Sequence, residues 1–219
     1  MKQFFLLPII SILFITPSIC YAHHPLGGMP VETFAHGLLS GVGHPLLGFD
    51  HLFFVALVGV AALYTGKKYT LPAAYILAML AGCYLMTIGI GLPFKEAIIG
   101  ISLLALGAVV FSGRALNFTL ALLVFSGFGF FHGSAFGDFI ATSEVAIGGH
   151  VVAGYFIGLG LIQYIIAITA GWTLSNFFLA KSSQAIEARI AGALVAGAGL
   201  FITMENVEGL VFNLLDLTT

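Results

Sequence analysis

The chain has 219 residues, 60% of them hydrophobic and only 7% charged, with a formal net charge of -2 at neutral pH. A soluble domain carries about a quarter charged residues, so composition excludes an ordinary water-soluble globule and points to a bilayer as the solvent. Seven Lys and Arg against nine Asp and Glu leave no basic surplus to attract nucleic acid or an acidic substrate, and selectivity must come from local groups.

Residues 1–22, "MKQFFLLPIISILFITPSICYA", place one Lys near the start, then a short apolar run, then Cys20-Tyr21-Ala22. Pro8 and Pro17 cut the apolar run well below the roughly 20 residues of a membrane span. The stretch reads as a secretory leader cleaved after Ala22, with a retained first membrane helix as the alternative. Cleavage would remove Cys20 and leave Cys83 as a free thiol with no intrachain disulfide. The mature chain, residues 23–219, would begin His23-His24-Pro25. Its amine and imidazoles are candidate ligands for a soft or borderline metal ion.

Apolar runs bounded by turn signals fall at 45–64, 70–91, 97–112, 117–136, 147–175 and 189–204, each near spanning length. The fold expected is an all-α membrane protein, a single six-helix transmembrane bundle. Its breaks are Gly66-Lys67-Lys68, Gly91-Leu92-Pro93, Gly113-Arg114, Gly137-Asp138 and the polar "AKSSQAIEAR". Lys67, Lys68, Arg114, Lys181 and Arg189 all fall in alternate loops, against Lys95 in the other set. By the retention of basic residues in the cytoplasm both termini lie outside, N-out and C-out. Gly133/Gly137, Gly154/Gly158 and Gly192/Ala196 recur four apart, a spacing that lets helix backbones approach closely in lipid.

The first span carries the sharpest anomaly, "GHPLLGFDHLFFVALVGV" at 43–60. His44, Asp50 and His51 stand in an otherwise apolar run, where an unpaired ionisable group costs several kcal/mol and marks an ion or proton path. On an unbroken helix His44 and His51 would be separated by a rise of about 10.5 Å. Two nitrogens on one ion lie only about 3 to 4 Å apart, given metal bonds near 2.0–2.1 Å. Pro45 suits a first helical position and Gly48 is permissive, so a bent segment before the helix is expected to fold His44 back toward Asp50 and His51. Imidazole with carboxylate suits nickel, cobalt, zinc or copper better than magnesium or calcium.

Under this topology all seven histidines, His23, His24, His36, His44, His51, His132 and His150, fall in the outer half. His132 and Asp138 in "FHGSAFGD", with His150 opening the next span, would complete the coordination shell or form a second site. The alternative for them is a polar helix terminus with loop-facing caps. Met79, Cys83 and Met86 share one face of the second span, offering soft donors deeper in the membrane or, more plainly, packing.

"HPLLGFDHLFFVALVG", residues 44–59, resembles the HP-x-x-G-x-D-H signature of the HupE/UreJ family of membrane proteins. The leader, six spans and a histidine-containing fourth span are also similar to that family, over nearly the whole mature chain. The resemblance implies passage of nickel or cobalt inward across a bacterial cytoplasmic membrane, with His44, Asp50, His51 and His132 as the matching residues. The chain departs from the family's frequent FHGHAHG run, with Ser134 and Phe136 at the two later histidine positions, and has Val55 where Met is frequent.

The function expected is therefore a non-enzymatic metal permease working by facilitated diffusion or secondary transport, since no GxxxxGK[ST] motif is present to couple nucleotide hydrolysis. Its partners are the transported divalent ion and the lipid, with room for a homo-oligomer and no tightly bound cofactor. A second reading is an electron-transfer protein with His51, His132 or His150 as haem axial ligands. A third is an intramembrane hydrolase using Ser134 with His132 or His150.

Overall fold

The computed structural model describes residues 31–141 and 148–215, so the leader, its cleavage point, His23 and His24 lie outside the described residues. Within them the chain is helical, with no strand. In chain order the helices are α1 (Phe34–Leu47), α2 (Phe49–Leu63), α3 (Thr70–Thr87), α4 (Lys95–Phe111), α5 (Phe118–Ala141), α6 (Gly149–Asn176) and α7 (Ile186–Leu214).

Four stretches, Thr70–Thr87, Phe118–Ala141, Gly149–Asn176 and Ile186–Phe212, are each long and apolar enough to cross a membrane. The pair α1 and α2, bent by 83° at its junction, forms a fifth, broken span or a re-entrant loop. Helix α4 has 17 residues, at the short limit for a span.

Three of the expected boundaries move by about five residues or more. The first span is not one helix from residue 45. Helix α1 begins eleven positions earlier, where the Thr33 hydroxyl accepts from the His36 amide at 3.1 Å, and Pro45 lies inside α1 rather than at a helix start. The chain does not turn at Gly137-Asp138, since α5 runs on to Ala141. There Gly137 is pressed against Met86 and the Cys83 carbonyl of α3, and Asp138 pairs with Lys95. Helix α7 passes residue 204 and continues to Leu214.

Glycine seams join the helices into pairs. A Cβ on Gly133 would overlap the Met79 carbonyl oxygen, and one on Gly82 the Phe130 carbonyl oxygen, so α3 and α5 meet backbone to backbone. Gly37 and Gly41 of α1 interlock in the same way with Gly154 and Gly158 of α6, and Gly107 of α4 with Gly192 and Ala196 of α7. The three small-residue spacings legible in the sequence thus serve three separate pairs, as close approach in lipid requires.

Helix α2 threads between the pairs. Its N-terminal turns leave Phe49 and Phe53 exposed, but Phe54, Val55, Leu57, Val58, Val60, Ala61 and Ala62 are buried, and from Leu57 to Ala62 no residue faces outward, the condition of a helix packed on all sides. Gly59 lets it touch the Ala167 backbone of α6. By contrast α7 turns Leu194, Phe201 and Met204 outward. The first turn of the central α2 carries Asp50 and His51.

Candidate metal centre

The site is built by the break between α1 and α2. Gly48 adopts φ -87° and ψ 97°, extended backbone that no helix continues, yet its amide still donates to the His44 carbonyl and its own carbonyl accepts from Leu52. Hydrogen bonding therefore runs unbroken up to the bend and resumes directly after it. His44 sits in the last turn of α1, and the bend swings its ring back over α2, leaving the His44 and His51 ring centroids 6.5 Å apart. The expected folding back of His44 is present, achieved by two helices meeting at an angle rather than by a non-helical segment.

Asp50 and His51 are neighbours at the start of α2, with Asp50 Oδ2 3.7 Å from His51 Nε2. The carboxylate is partly exposed, and His51 is buried. Gly48 lies directly beneath them. A Cβ there would stand 3.1 Å from His51 Cδ2 and 3.3 Å from Asp50 Oδ1.

Behind these groups stands a ring of partners from three more helices. His44 Nδ1 lies 2.8 Å from the Tyr155 hydroxyl of α6, which itself donates to the Phe136 carbonyl at 2.9 Å. His51 Nδ1 is 2.9 Å from His132 Nδ1 of α5. His132 Nε2 is 2.9 Å from Ser102 Oγ of α4, and Ser102 donates to the Ile99 carbonyl at 2.7 Å. Aromatic rings wall the cluster: Phe136 faces His51 at 4.2 Å and His44 at 5.1 Å, and Phe54 stacks on His132 at 4.3 Å.

Among the described residues no group of three or more His, Cys, Asp or Glu side chains already surrounds a metal-sized point. Two imidazoles sharing one ion place their ring centroids about 5 to 6 Å apart, given metal–nitrogen bonds near 2.0–2.1 Å. The observed 6.5 Å is longer than that. The donors are gathered but not closed.

The other candidates lie elsewhere. Asp138 forms an ion pair with Lys95, the one basic residue outside the alternate-loop pattern. His36 and His150 meet at the start of α1 and α6, both on the Glu32 backbone: its amide donates to His36 Nδ1 at 3.3 Å, and His150 Nε2 donates to its carbonyl at 3.0 Å. His36 is two helical turns and more from His44, a rise of about 12 Å. Met79 and Cys83 are buried at the α3·α5 seam, their backbones against Gly133, with Gln163 Nε2 donating to the Met79 sulfur at 3.7 Å. The Met79, Cys83 and Met86 stripe is the packing face of α3.

The two rival chemistries find no support in this arrangement. His51 and His132 are bonded directly to each other, with no gap for a porphyrin between them. Ser134 is buried and accepts from the Leu92 amide at 3.3 Å. The serine that meets His132 is Ser102. Ser102, Tyr155 and Phe136 escaped sequence reasoning as members of the cluster. Their signal was faint, a hydroxyl or a ring inside an apolar span.

Comparison with known proteins agrees with the signature. The family model described as "HupE / UreJ protein" matches residues 11–202. Protein HupE of Rhizobium leguminosarum bv. viciae is 32% identical over 185 residues, covering 84% of this chain and 89% of its own length. No solved structure matches.

Proposed function

The chain belongs to the HupE/UreJ family, and from that membership we propose that it is a permease for a divalent transition-metal ion, nickel or cobalt, in a bacterial cytoplasmic membrane. The ion is captured on the outer side by His44, Asp50 and His51 and passed inward without nucleotide hydrolysis. The observation that carries this reading is the 83° break at Gly48, which folds an imidazole from α1 onto a carboxylate and an imidazole of α2 inside an otherwise apolar bundle. A helix interrupted at membrane depth is a recurrent way to build an ion site. One carboxylate and two imidazoles form a donor set fit for nickel or cobalt.

In this reading the leader is removed, α1 and α2 form one broken crossing, and α4 crosses as well, its 17 residues reaching about 25 Å. Six crossings then leave both termini outside. The test is uptake of radioactive nickel or cobalt in cells whose other importers for these ions are deleted. Complementation by the intact chain should be lost with His51→Ala at normal membrane abundance. Uptake unchanged in the combined His44→Ala, Asp50→Ala, His51→Ala variant would reject the site.

A further inference from the structure

Two buried hydroxyls stand behind the imidazoles, and each also has a backbone carbonyl within hydrogen-bond reach, which can only accept. A hydroxyl has one proton to give. Tyr155 gives its proton to the Phe136 carbonyl at 2.9 Å, and Ser102 gives its proton to the Ile99 carbonyl at 2.7 Å. Each oxygen can therefore meet its imidazole only as an acceptor, and the ring nitrogen facing it must carry hydrogen. His44 is then protonated at Nδ1, 2.8 Å from Tyr155, and His132 at Nε2, 2.9 Å from Ser102.

The consequence passes one residue further. With hydrogen on Nε2, neutral His132 keeps a lone pair on Nδ1, and His51 Nδ1 at 2.9 Å must be the donor. The chain runs from His51 Nδ1–H to His132 Nδ1, from His132 Nε2–H to Ser102 Oγ, and from Ser102 O–H to the Ile99 carbonyl. The reversed arrangement asks Ser102 to give one proton to two acceptors. A second proton on His132 would place a net charge on a fully buried ring whose neighbours are Phe54, His51 and Ser102, a costly burial.

We infer that Tyr155 and the His132–Ser102 pair fix His44 and His51 in the Nδ1–H form, so that Nε2 is the ring nitrogen that keeps its lone pair on each, and on His51 that nitrogen lies 3.7 Å from Asp50 Oδ2. His132 is a positioning residue and not a ligand, because both of its nitrogens are occupied in holding His51. Metal-binding imidazoles generally owe their tautomer and aim to such an outer partner on the other ring nitrogen. Here two separate clamps, from α6 and from α5 with α4, impose the same tautomer. The inference rests on the metal-site reading above for its ligands, and on hydrogen-bond geometry and the burial of His132 for the tautomers.

The test begins without metal. The full chain, labelled with nitrogen-15 at histidine and held in lipid nanodiscs, should show by NMR the Nδ1–H form for His44 and His51 and the Nε2–H form for His132. Tyr155→Phe should turn His44 alone into a tautomer mixture. Ser102→Ala should do so for His132 and His51, and Ser102→Thr should restore the intact pattern. His44 or His51 in the Nε2–H form in the intact chain would overturn the assignment. With cobalt added, X-ray absorption should count two imidazoles on the ion in the intact chain and still two in His132→Asn, whose amide oxygen keeps an acceptor for His51, with affinity lowered about tenfold. A fall to one imidazole in His132→Asn would make His132 a ligand and overturn its positioning role. Undiminished cobalt binding by His51→Ala would overturn the metal site itself, an outcome told apart from failure of the tautomer assignment because that assignment is read before metal is added.

Discussion

Gly48 is held where any residue fits by backbone conformation, at φ -87° and ψ 97°, yet its missing side chain makes room for the two groups above it. Gly48→Ala puts a methyl 3.1 Å from His51 and 3.3 Å from Asp50, so both must give by a few tenths of an ångström. Metal affinity is expected to fall several-fold with thermal stability nearly unchanged, which isothermal titration with nickel and a melting curve on the same preparation will separate. The Phe136 ring faces both His44 and His51. Phe136→His should supply a third imidazole and tighten cobalt binding several-fold, visible as a changed visible spectrum of the bound cobalt. Affinity equal to or weaker than that of the intact chain would place the ion away from Phe136. His44, Asp50 and His51 were legible in the sequence because ionisable groups are conspicuous in oil. Tyr155 was not, because a tyrosine is unremarkable in a span and its bond to His44 joins residues 111 positions apart.

Helix edges were less legible than helix existence. The stretch before residue 45 reads as a bent segment outside the helix because Pro45 suits a first helical position, but Gly37 and Gly41 are the face that α1 lays on α6. Gly137-Asp138 reads as a turn because the local signal favours one, and it is overridden by contact with α3 and by the pair with Lys95. The seams make a matched comparison within one helix. Gly133→Ala must force α5 off the Met79 carbonyl, whereas a Cβ on Gly127 meets nothing within 4 Å. The first substitution should destabilise by about 1–3 kcal/mol, and the second should be neutral or stabilise by up to about 1 kcal/mol. Reversible unfolding in mixed detergent measures both. Equal effects would mean that α3 and α5 do not meet at that seam. On α3, Tyr75 donates to Gln163 across 2.9 Å within the buried core. Tyr75→Phe should cost about 1 kcal/mol in the same assay without altering metal affinity.

At the scale of the molecule, the class of fold follows from composition, while the arrangement of helices does not. Runs of apolar residues mark where the chain is helical, but nothing local reveals that α2 is central or that α7 is peripheral. Orientation is open to a direct test. In a Cys83→Ser background, Phe94→Cys on the α3–α4 loop should react with a membrane-impermeant maleimide on intact cells, and Lys68→Cys only after lysis. The opposite pattern would invert the proposed topology. The three glycine-seamed pairs carry one last implication. His44 and Tyr155 ride on the α1·α6 pair, His132 on α3·α5 and Ser102 on α4·α7, while Asp50 and His51 belong to the helix threaded among them. Each pair is welded within itself, so any rocking of one against another is felt first where they converge. An ångström of slippage between pairs stretches the His51–His132–Ser102 relay at 2.9 Å links and releases the His51 ring. Holding and letting go of an ion would then be two stances of the same bundle, with loosened imidazoles as the step between them.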